Sequence, residues 1–374
     1  MIHKDDVKWW ILEAKKHPES IPTIIEALAR RLIELDEENE RLRDELIQLQ
    51  HTAPTSIDSG EVDALRDKVD ELQSLLSGEA SGEPSVVFLS HDLRVGRLLL
   101  SRTQRLARQK QPALNRQAML GLHTMLLVRP QEELMLLTNT GYGHTRPLSD
   151  VPPLAESGEW PEGDFAKETS GERLTAAIAV AQPPRFWTLV TRRGYVQQLL
   201  RIDLERRIAQ DERVIESPFH NDGLATVVDG DRGDLLVLTR WGKGVRFPQR
   251  SIESQGSTAL KLEPDDRVVA ALPLPDEVEM LILTASGFAV RRDTRQIAAR
   301  AKPGGAGKGL IQAFDVLEAF SCESEAQLLY LTYSGKPIFA STAGIPLYRR
   351  SEKGARVCAF DRDPAVAVTL VPQS

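Results

Sequence analysis

The chain has 374 residues, of which 41% are hydrophobic, so it is long enough to bury a large core. Its formal charge of −7 is uneven, because residues 1–85 carry 10 basic and 20 acidic residues while the remainder carries 37 basic and 34 acidic ones. The absence of an apolar run of membrane-spanning length, of a signal-peptide core and of clustered cysteines argues against a membrane protein, a disulfide framework or a zinc site, and favours a cytoplasmic protein.

Residues 1–20 are predicted to form an amphipathic helix that carries Trp9 and Trp10. Tryptophan is enriched at interaction hot spots, so the two side chains form a candidate docking site for a protein partner. Packing of the same side chains against a second copy of this chain is the commoner arrangement and is the alternative.

Residues 21–76 are predicted to form a coiled coil with a break near 51–60, because apolar residues recur there at alternating steps of three and four. An Asn at one a position favours two matched, parallel strands, so we expect a homodimer. A second apolar series at 62–76 leaves an intramolecular helical hairpin as the alternative. The predicted dimerisation residues are Ile25, Leu28, Leu32, Leu35, Asn39, Leu42, Leu46 and Leu49.

After a predicted linker at 77–85, one pattern recurs six times between residues 86 and 374. An apolar run ends in Thr or Ser, and a Gly and a second strand usually follow. The repeats are spaced by 45 to 53 residues, which suits a four-stranded blade, and their apolar runs suit strands buried on both faces. The sequence therefore predicts an all-β ring of six blades. The residues that end the apolar runs, here called the anchors, are Ser90, Thr138, Thr191, Thr239, Thr284 and Thr332.

Closure of this ring is predicted from a second series of β-rich runs. One such run lies about 15 residues before every anchor except Ser90, and the chain ends with another, residues 366–370, that no anchor follows. We therefore expect the strand at 366–370 to complete the first repeat and to close the ring, which removes open sheet edges. An open β-solenoid is the alternative.

Three repeats carry Thr-x-x-Gly followed by an aromatic residue, at Thr138 to Tyr142, Thr191 to Tyr195 and Thr284 to Phe288. In this pattern residues 86–374 resemble the C-terminal domain of the DNA gyrase A protein and that of its topoisomerase IV relative. The resemblance implies a six-bladed β-pinwheel, a propeller-like ring with strands exchanged between blades, which here follows an α-helical coiled-coil segment. It also implies that duplex DNA bends around a basic rim.

The sequence also departs from that family. Nothing upstream resembles a cleavage domain or an ATPase, and the scattered histidines form no catalytic or metal-binding motif, so no enzyme activity, cofactor or metal is predicted. The glycine-rich box of gyrase is missing from the first repeat, where Gln104 to Arg108 stands, so wrapping is implied less strongly than binding. A related loop, Lys302 to Gly309, lacks the Walker residues, although its backbone amides can hold a phosphate.

Basic residues concentrate in the first, fifth and sixth repeats, which adjoin if the ring closes. We predict that they form a positive arc that contacts DNA phosphates without reading bases. The predicted DNA-contacting residues are Arg94, Arg97, Arg102, Arg105, Arg108, Lys110, Arg116, Arg291, Arg292, Arg295, Arg300, Lys302, Lys308, Arg349, Arg350 and Lys353.

The predicted function is therefore that of a non-enzymatic, nucleoid-associated protein that binds or wraps duplex DNA and is dimerised by its coiled coil. The alternative is a protein-interaction scaffold, such as an accessory factor of a topoisomerase or of another chromosome protein.

Overall fold

The computed structural model describes residues 82–161, 172–219, 222–231, 233–274, 279–322, 326–360 and 362–371. A compact unit begins at Glu83. The predicted N-terminal helix with Trp9 and Trp10, and the predicted coiled coil from Ile25 onward, lie outside the described residues. No helix in the part of the chain that the structure describes is long and apolar enough to cross a membrane.

The strands among these described residues form six antiparallel sheets, numbered in chain order. Sheet one consists of β1 (Ser85–Ser90), β2 (Val95–Leu99) and β3 (Leu122–Val128), in the order β2-β1-β3. Sheet two consists of β4 (Glu133–Thr138), β5 (Gly143–Pro147) and β6 (Leu174–Val180), in the order β5-β4-β6. Sheet three consists of β7 (Phe186–Thr191), β8 (Tyr195–Leu200), β9 (Leu224–Asp229) and β12 (Ser257–Thr258), in the order β12-β8-β7-β9.

The other three sheets repeat this plan. Sheet four consists of β10 (Asp234–Thr239), β11 (Lys243–Pro248), β13 (Val268–Leu274) and β16 (Lys308–Gly309), in the order β13-β10-β11-β16. Sheet five consists of β14 (Glu279–Thr284), β15 (Phe288–Asp293), β17 (Val316–Cys322) and β20 (Ala355–Arg356), in the order β17-β14-β15-β20. Sheet six consists of β18 (Gln327–Thr332), β19 (Pro337–Ser341) and β21 (Ala365–Val371), in the order β19-β18-β21.

Within the described parts of the repeats, three α-helices connect strands. They are α1 (Leu100–Gln109), α2 (Arg116–Gly121) and α3 (Arg201–Ala209). Single 3-10 turns occupy Leu148–Asp150, Gln249–Ser251 and Thr294–Gln296. Lys110 caps the C-terminus of helix α1, where its left-handed backbone (φ 56°) lets its N–H bond back to the last turn. Asn115 caps the N-terminus of helix α2, and its side chain accepts from the N–H of Ala118 at 2.9 Å.

Each repeat builds its own sheet in the same way. The strand that ends in the anchor forms a hairpin with the next strand, and the chain later returns to pair with its other edge. In sheet one, Val87 lies opposite Arg97 on β2 and opposite Leu126 on β3. The register of every returning strand shifts at the anchor, as between Leu89 and Ser90. The anchor therefore marks the same irregularity in all six sheets.

The predicted pairing of the last strand is wrong. Strand β21 pairs with β18 and completes sheet six, with Leu329 opposite Thr369, while β3 completes sheet one. The β-rich runs that precede the anchors are thus the returning strands of the preceding repeat. A repeated sequence pattern shows how many residues each sheet takes, but it does not show where one sheet ends and the next begins. Each β-rich run lies close in sequence to the anchor strand before it and to the one after it, so it could pair with either.

The sheets nevertheless close on themselves through packing. Side chains of β1 alternate between two cores, because Val86 and Phe88 pack with Leu329 and Leu331 of sheet six while Val87 faces sheet two. Similar apolar clusters join each of the four remaining pairs of consecutive sheets. The central strands are therefore apolar along their length because they are buried on both faces, as the sequence predicts. The six returning strands, here called the inner strands, contact one another in the circular order β3, β6, β9, β13, β17, β21 and back to β3.

Candidate nucleic-acid interface

The anchor hydroxyls organise the tight turn of every hairpin. Thr284 Oγ1 accepts a hydrogen bond from the backbone N–H of Phe288 at 3.0 Å, and Ser90 Oγ accepts from that of Arg94 at 2.8 Å. The same bond, to the residue four positions later, occurs at the other four anchors. Because the anchors are at most 1% exposed, this hydroxyl satisfies a backbone donor that water cannot reach. The requirement explains why only Thr and Ser occur there.

The turn after five of the anchors contains a glycine with φ between +71° and +86°. In each case the glycine carbonyl accepts a hydrogen bond from the next repeat in the ring, as Gly141 does from Val214 at 2.7 Å and Gly335 from Ala113 at 2.8 Å. The first repeat has Leu93 at this position, also with positive φ. The equivalent bonds join Gly194 to Ala259, Gly242 to Leu310 and Gly287 to Val357.

These bonds attach one segment of each repeat to the sheet before it. We call them the exchanged segments, and where such a segment contains a short strand, as at β12, β16 and β20, it extends the edge of the preceding sheet opposite the inner strand. The first segment reaches back to sheet six, where α1 contacts β19. The exchanged segments are residues 100–121 on sheet six, 148–161 on sheet one, 201–216 on sheet two, 249–262 on sheet three, 297–312 on sheet four and 345–360 on sheet five.

The exchanged segments differ systematically in charge. The segment on sheet six has five basic residues and no acidic one, for a net charge of +5. Those on sheets five and four each carry +3, and the one on sheet three carries +1. The segments on sheets two and one carry −1 and −3. The outer edge therefore changes from strongly basic at sheet six to acidic at sheet one, and its positive arc spans sheets four, five and six.

Eleven of the sixteen predicted DNA-contacting residues lie in the three basic segments. Arg102 and Arg105 are half-buried, whereas the other nine are exposed. Lys353 Nζ lies 4.3 Å from the centre of the Phe288 ring, and Arg300 donates to the carbonyl of Ala306 at 3.2 Å. The nine exposed residues are Arg108, Lys110, Arg116, Arg300, Lys302, Lys308, Arg349, Arg350 and Lys353.

Most of the remaining predicted residues are engaged within their own hairpins. Arg94 is paired with Asp92, Arg291 with Glu279, and Arg295 with Asp293. Hydrogen bonds from Arg295 lower the pKa of Asp293. These carboxylates neutralise the arginines that they hold, so the hairpins contribute less net charge to the arc than the sequence suggests.

Two further arginines bind backbone carbonyls. Arg97 Nε donates to the carbonyl of Val151 at 2.8 Å. Arg292 is only 5% exposed and donates to the carbonyls of Leu310 and Arg349 at 3.1 and 3.2 Å. Burial lowers the pKa of Arg292. We expected Arg292 at a DNA-contacting surface, whereas exchanged segments cover its side chain.

The sequence patterns left a second basic group unrecognised. It includes Arg192 and Arg240, each of which directly follows its anchor. Their shared position, directly after the anchor, is the feature of the sequence that could have revealed them. A search for runs of basic residues misses them because they belong to different repeats. Among the described residues no group of three or more His, Cys, Asp or Glu side chains is arranged to hold a metal ion.

Comparison with known structures identifies this arrangement of sheets. A structure of the DNA gyrase A C-terminal domain aligns over 77% of this chain and all of its own, with a TM-score of 0.61 and 16% identity. The fold is that of the DNA gyrase A C-terminal domain. The C-terminal domain of DNA topoisomerase IV aligns over 78% of this chain and 94% of its own, with a TM-score of 0.54 and 17% identity. The predicted resemblance to these domains is confirmed.

Sequence comparison agrees for a segment of the chain. The DNA gyrase A protein of Haloquadratum walsbyi is 24% identical over 204 residues, which is 50% of this chain and 23% of that protein. The DNA gyrase A protein of Campylobacter jejuni is 26% identical over 152 residues, 37% of this chain and 17% of that protein. The matches thus span about a quarter or less of these gyrase proteins. No family model matches the chain.

Proposed function

We propose that this chain is a non-enzymatic protein that binds duplex DNA, without sequence preference, along the outer edge of sheets four, five and six. The observation that carries the proposal is the charge gradient of the exchanged segments, from +5 on sheet six to −3 on sheet one. The gyrase-type fold supports it, since the similar structures are domains of DNA gyrase and DNA topoisomerase IV.

The arc suits a phosphate backbone better than base edges. Its nine exposed cationic side chains stand on irregular segments and near the ends of short helices, a placement that suits contacts to phosphates. Contacts of this kind release counterions from DNA, so affinity should fall steeply with salt. If about six phosphates are neutralised, the slope of log K against log salt concentration is about −5.

Fluorescence anisotropy with a long, mixed-sequence duplex tests the binding. We expect binding at low salt, the steep salt slope, and equal affinity for duplexes of unrelated sequence. A chain that binds no duplex at about 50 mM salt, or whose affinity does not depend on salt, would contradict the proposal.

We further propose that the duplex bends as it follows the arc. The positive segments lie on three consecutive sheets, so a duplex in contact with all three must curve around the ring. Such bending costs a few kcal/mol, which additional phosphate contacts offset. Relaxing closed circular DNA in the presence of the protein, and then removing the protein, should leave a change in linking number. An unchanged linking number at saturating protein would exclude wrapping.

The predicted coiled coil adds a second element to the proposal. A parallel dimer through the a and d positions from Ile25 to Leu49 would join two basic arcs in one molecule. The second arc would then bind at a high effective concentration once the first is engaged. Deletion of residues 1–76 should therefore weaken binding to a long duplex far more than binding to a duplex that fills one arc, and equal losses would contradict the bivalent arrangement.

A further inference from the structure

A second concentration of positive charge lies at one end of the inner strands. The residue that follows each anchor donates its backbone N–H to the residue just before an inner strand, and at four of the six its carbonyl also accepts from the start of the next inner strand. Arg240, for example, donates its N–H to the carbonyl of Arg267 at 2.8 Å, and its own carbonyl accepts from Val316 at 3.0 Å. Because Arg267 precedes β13 and Val316 begins β17, this residue lies where two inner strands begin.

The same backbone bonds place other basic residues side by side. The carbonyl of Arg192 accepts from the N–H of Val268 at 2.9 Å, which places it beside Arg267. The carbonyl of His91 accepts from the N–H of Leu174 at 2.9 Å, which places it beside Arg173. We call the resulting group the axial cluster, which consists of His91, His123, Arg173, Arg192, Arg240 and Arg267.

The side chains of this cluster converge across the ring. The rings of His91 and His123 are 4.7 Å apart. His123 belongs to sheet one, yet the charges of Arg192 near sheet three and Arg267 near sheet four both act on it. Burial and these positive neighbours lower the pKa of His123 to about 4, and burial with Arg267 nearby lowers the pKa of Arg192. The cations are therefore close enough to oppose one another's charge.

Carboxylates do not neutralise this cluster as they do the hairpin arginines. In the part of the chain that the structure describes, no ion pair or side-chain hydrogen bond holds the guanidinium of Arg173, Arg192, Arg240 or Arg267. Asp222 acts on Arg192 from a distance, but its oxygens accept from the Arg193 N–H and the Ser217 hydroxyl.

The other nearby carboxylates are also engaged. Asp92, which acts on His91, forms its ion pair with Arg94. Asp266 Oδ1 accepts from the backbone N–H groups of Trp241 and Arg267, while its buried Oδ2 has no hydrogen-bond partner among the described residues. The positive charge at this end of the ring is thus compensated only in part, which favours an anion.

We propose that the axial cluster is a binding site for a compact polyphosphate anion, separate from the DNA-binding arc. Arginine presents a planar fork of donors that matches phosphate oxygens, and four such groups lie at the same end of the inner strands. A short polyphosphate chain carries several negative charges on one compact group. A duplex spreads its charges along an extended axis, so it fits the outer edge of the ring better.

Titration calorimetry of the full chain with sodium tripolyphosphate tests the site. The double variant Arg192→Gln with Arg267→Gln should bind tripolyphosphate at least about tenfold more weakly than the unchanged protein. Arg349→Gln with Arg350→Gln, which removes two guanidinium groups from the outer arc, is the matched control and should leave this affinity unchanged. The axial substitutions relieve repulsion between like charges, so the melting temperature should not fall. If that variant does not fold, Arg173→Gln with Arg240→Gln provides the same measurement.

Duplex DNA is the second probe for these variants. The proposal requires that the axial variant keeps its DNA affinity while it loses tripolyphosphate. Equal tripolyphosphate affinity in the axial variant and the unchanged protein would overturn it, and so would parallel loss of DNA and tripolyphosphate binding, which would make the cluster part of the DNA interface. Adenosine triphosphate distinguishes the source of the phosphate. If the protein binds it more tightly than tripolyphosphate, the site is assigned to nucleotides. If the two affinities are equal, the site is assigned to the phosphate chain alone.

Discussion

The backbone N–H of Ala113 donates a 2.8 Å hydrogen bond to the carbonyl of Gly335, and this bond joins the first repeat to the last. The exchanged segment that contains Ala113 also carries the largest positive charge of the six, at +5. Closure of the ring therefore places the most basic segment on sheet six, next to sheet five and then sheet four, whose outer edges are the next most basic. The closure of the ring and the proposed DNA site therefore both depend on the contact between Ala113 and Gly335.

Replacement of Gly335 by alanine should open this contact. Its φ of +80° is unfavourable for other residues, and an added Cβ would overlap the carbonyl of Leu114. Gly344→Ala is the matched control, because its φ of +82° is almost the same while nothing lies within 4 Å of the added atom. We expect about 1 kcal/mol of destabilisation at Gly344 and about 3 kcal/mol or more at Gly335, measured by chemical denaturation. Equal losses would show that the close approach to Leu114 is unimportant.

Replacement of an anchor by valine should destabilise its hairpin. Thr284→Val preserves the shape of the side chain but leaves the N–H of Phe288 without its acceptor at 3.0 Å. The anchor is fully buried, so we expect a loss of about 1–3 kcal/mol in the free energy of unfolding. Thr284→Ser retains the hydroxyl and should cost less. A serine variant that is less stable than the valine variant would contradict the role of the hydroxyl.

Glu318 on inner strand β17 should make stability depend on pH. Burial raises its pKa from 4.5 to about 7, although a hydrogen bond from the Ala319 N–H opposes the shift. The folded state then holds a proton that the unfolded state loses, so stability should decrease as pH rises from about 4.5 to 7. A shift of this size corresponds to about 3 kcal/mol at most.

Glu318→Gln tests this dependence, since glutamine resembles the protonated acid. The variant should be more stable than the unchanged protein at about pH 8, and close to it at about pH 4.5, in thermal or chemical unfolding. Glu352→Gln, at an exposed position, is the control for the amide substitution. The same stability difference at both pH values would count against a proton held at Glu318.

Charge reversal on the two equivalent helices should affect DNA binding differently. Arg108 and Arg206 each lie in the last turn of a helix that follows a hairpin, and both are exposed. Arg108→Glu changes the +5 segment on sheet six, whereas Arg206→Glu changes the −1 segment on sheet two. Anisotropy at fixed salt should show several-fold weaker duplex binding for the first variant only, because phosphate contacts lie on the basic arc. Similar losses in both would contradict a one-sided interface.

The oligomeric state tests the predicted coiled coil. Asn39→Lys places two positive charges opposite each other at an a position of a parallel dimer, so analytical ultracentrifugation should show the monomer mass. Glu40→Lys, at the adjacent position outside the apolar seam, should remain dimeric. An Asn39→Lys variant that keeps the dimer mass would favour the intramolecular hairpin.

The repeat and its local chemistry were predictable from the sequence. The six anchors, the apolar strands before them and the positive-φ glycines after most of them each depend on a few neighbouring residues. Thr284 and Gly287, for example, act within one hairpin turn, through bonds to Phe288 and to Thr284 itself. Interactions of this range leave a direct pattern in the sequence, which is also why the resemblance to the gyrase domain was visible.

The long-range arrangement was decided by the tertiary structure. The sequence alone determined the period of the repeat, the identity of the strands and the uneven distribution of charge along the chain. Only the folded ring decided that β21 pairs with β18, that each exchanged segment steps back by one sheet, and that Arg292 is buried while its neighbour Arg291 reaches Glu279. It also brought His123 within reach of Arg192 and Arg267. These outcomes depend on contacts between residues far apart in the chain. Because the repeats resemble one another, the local sequence of each repeat does not specify which other repeat it packs against.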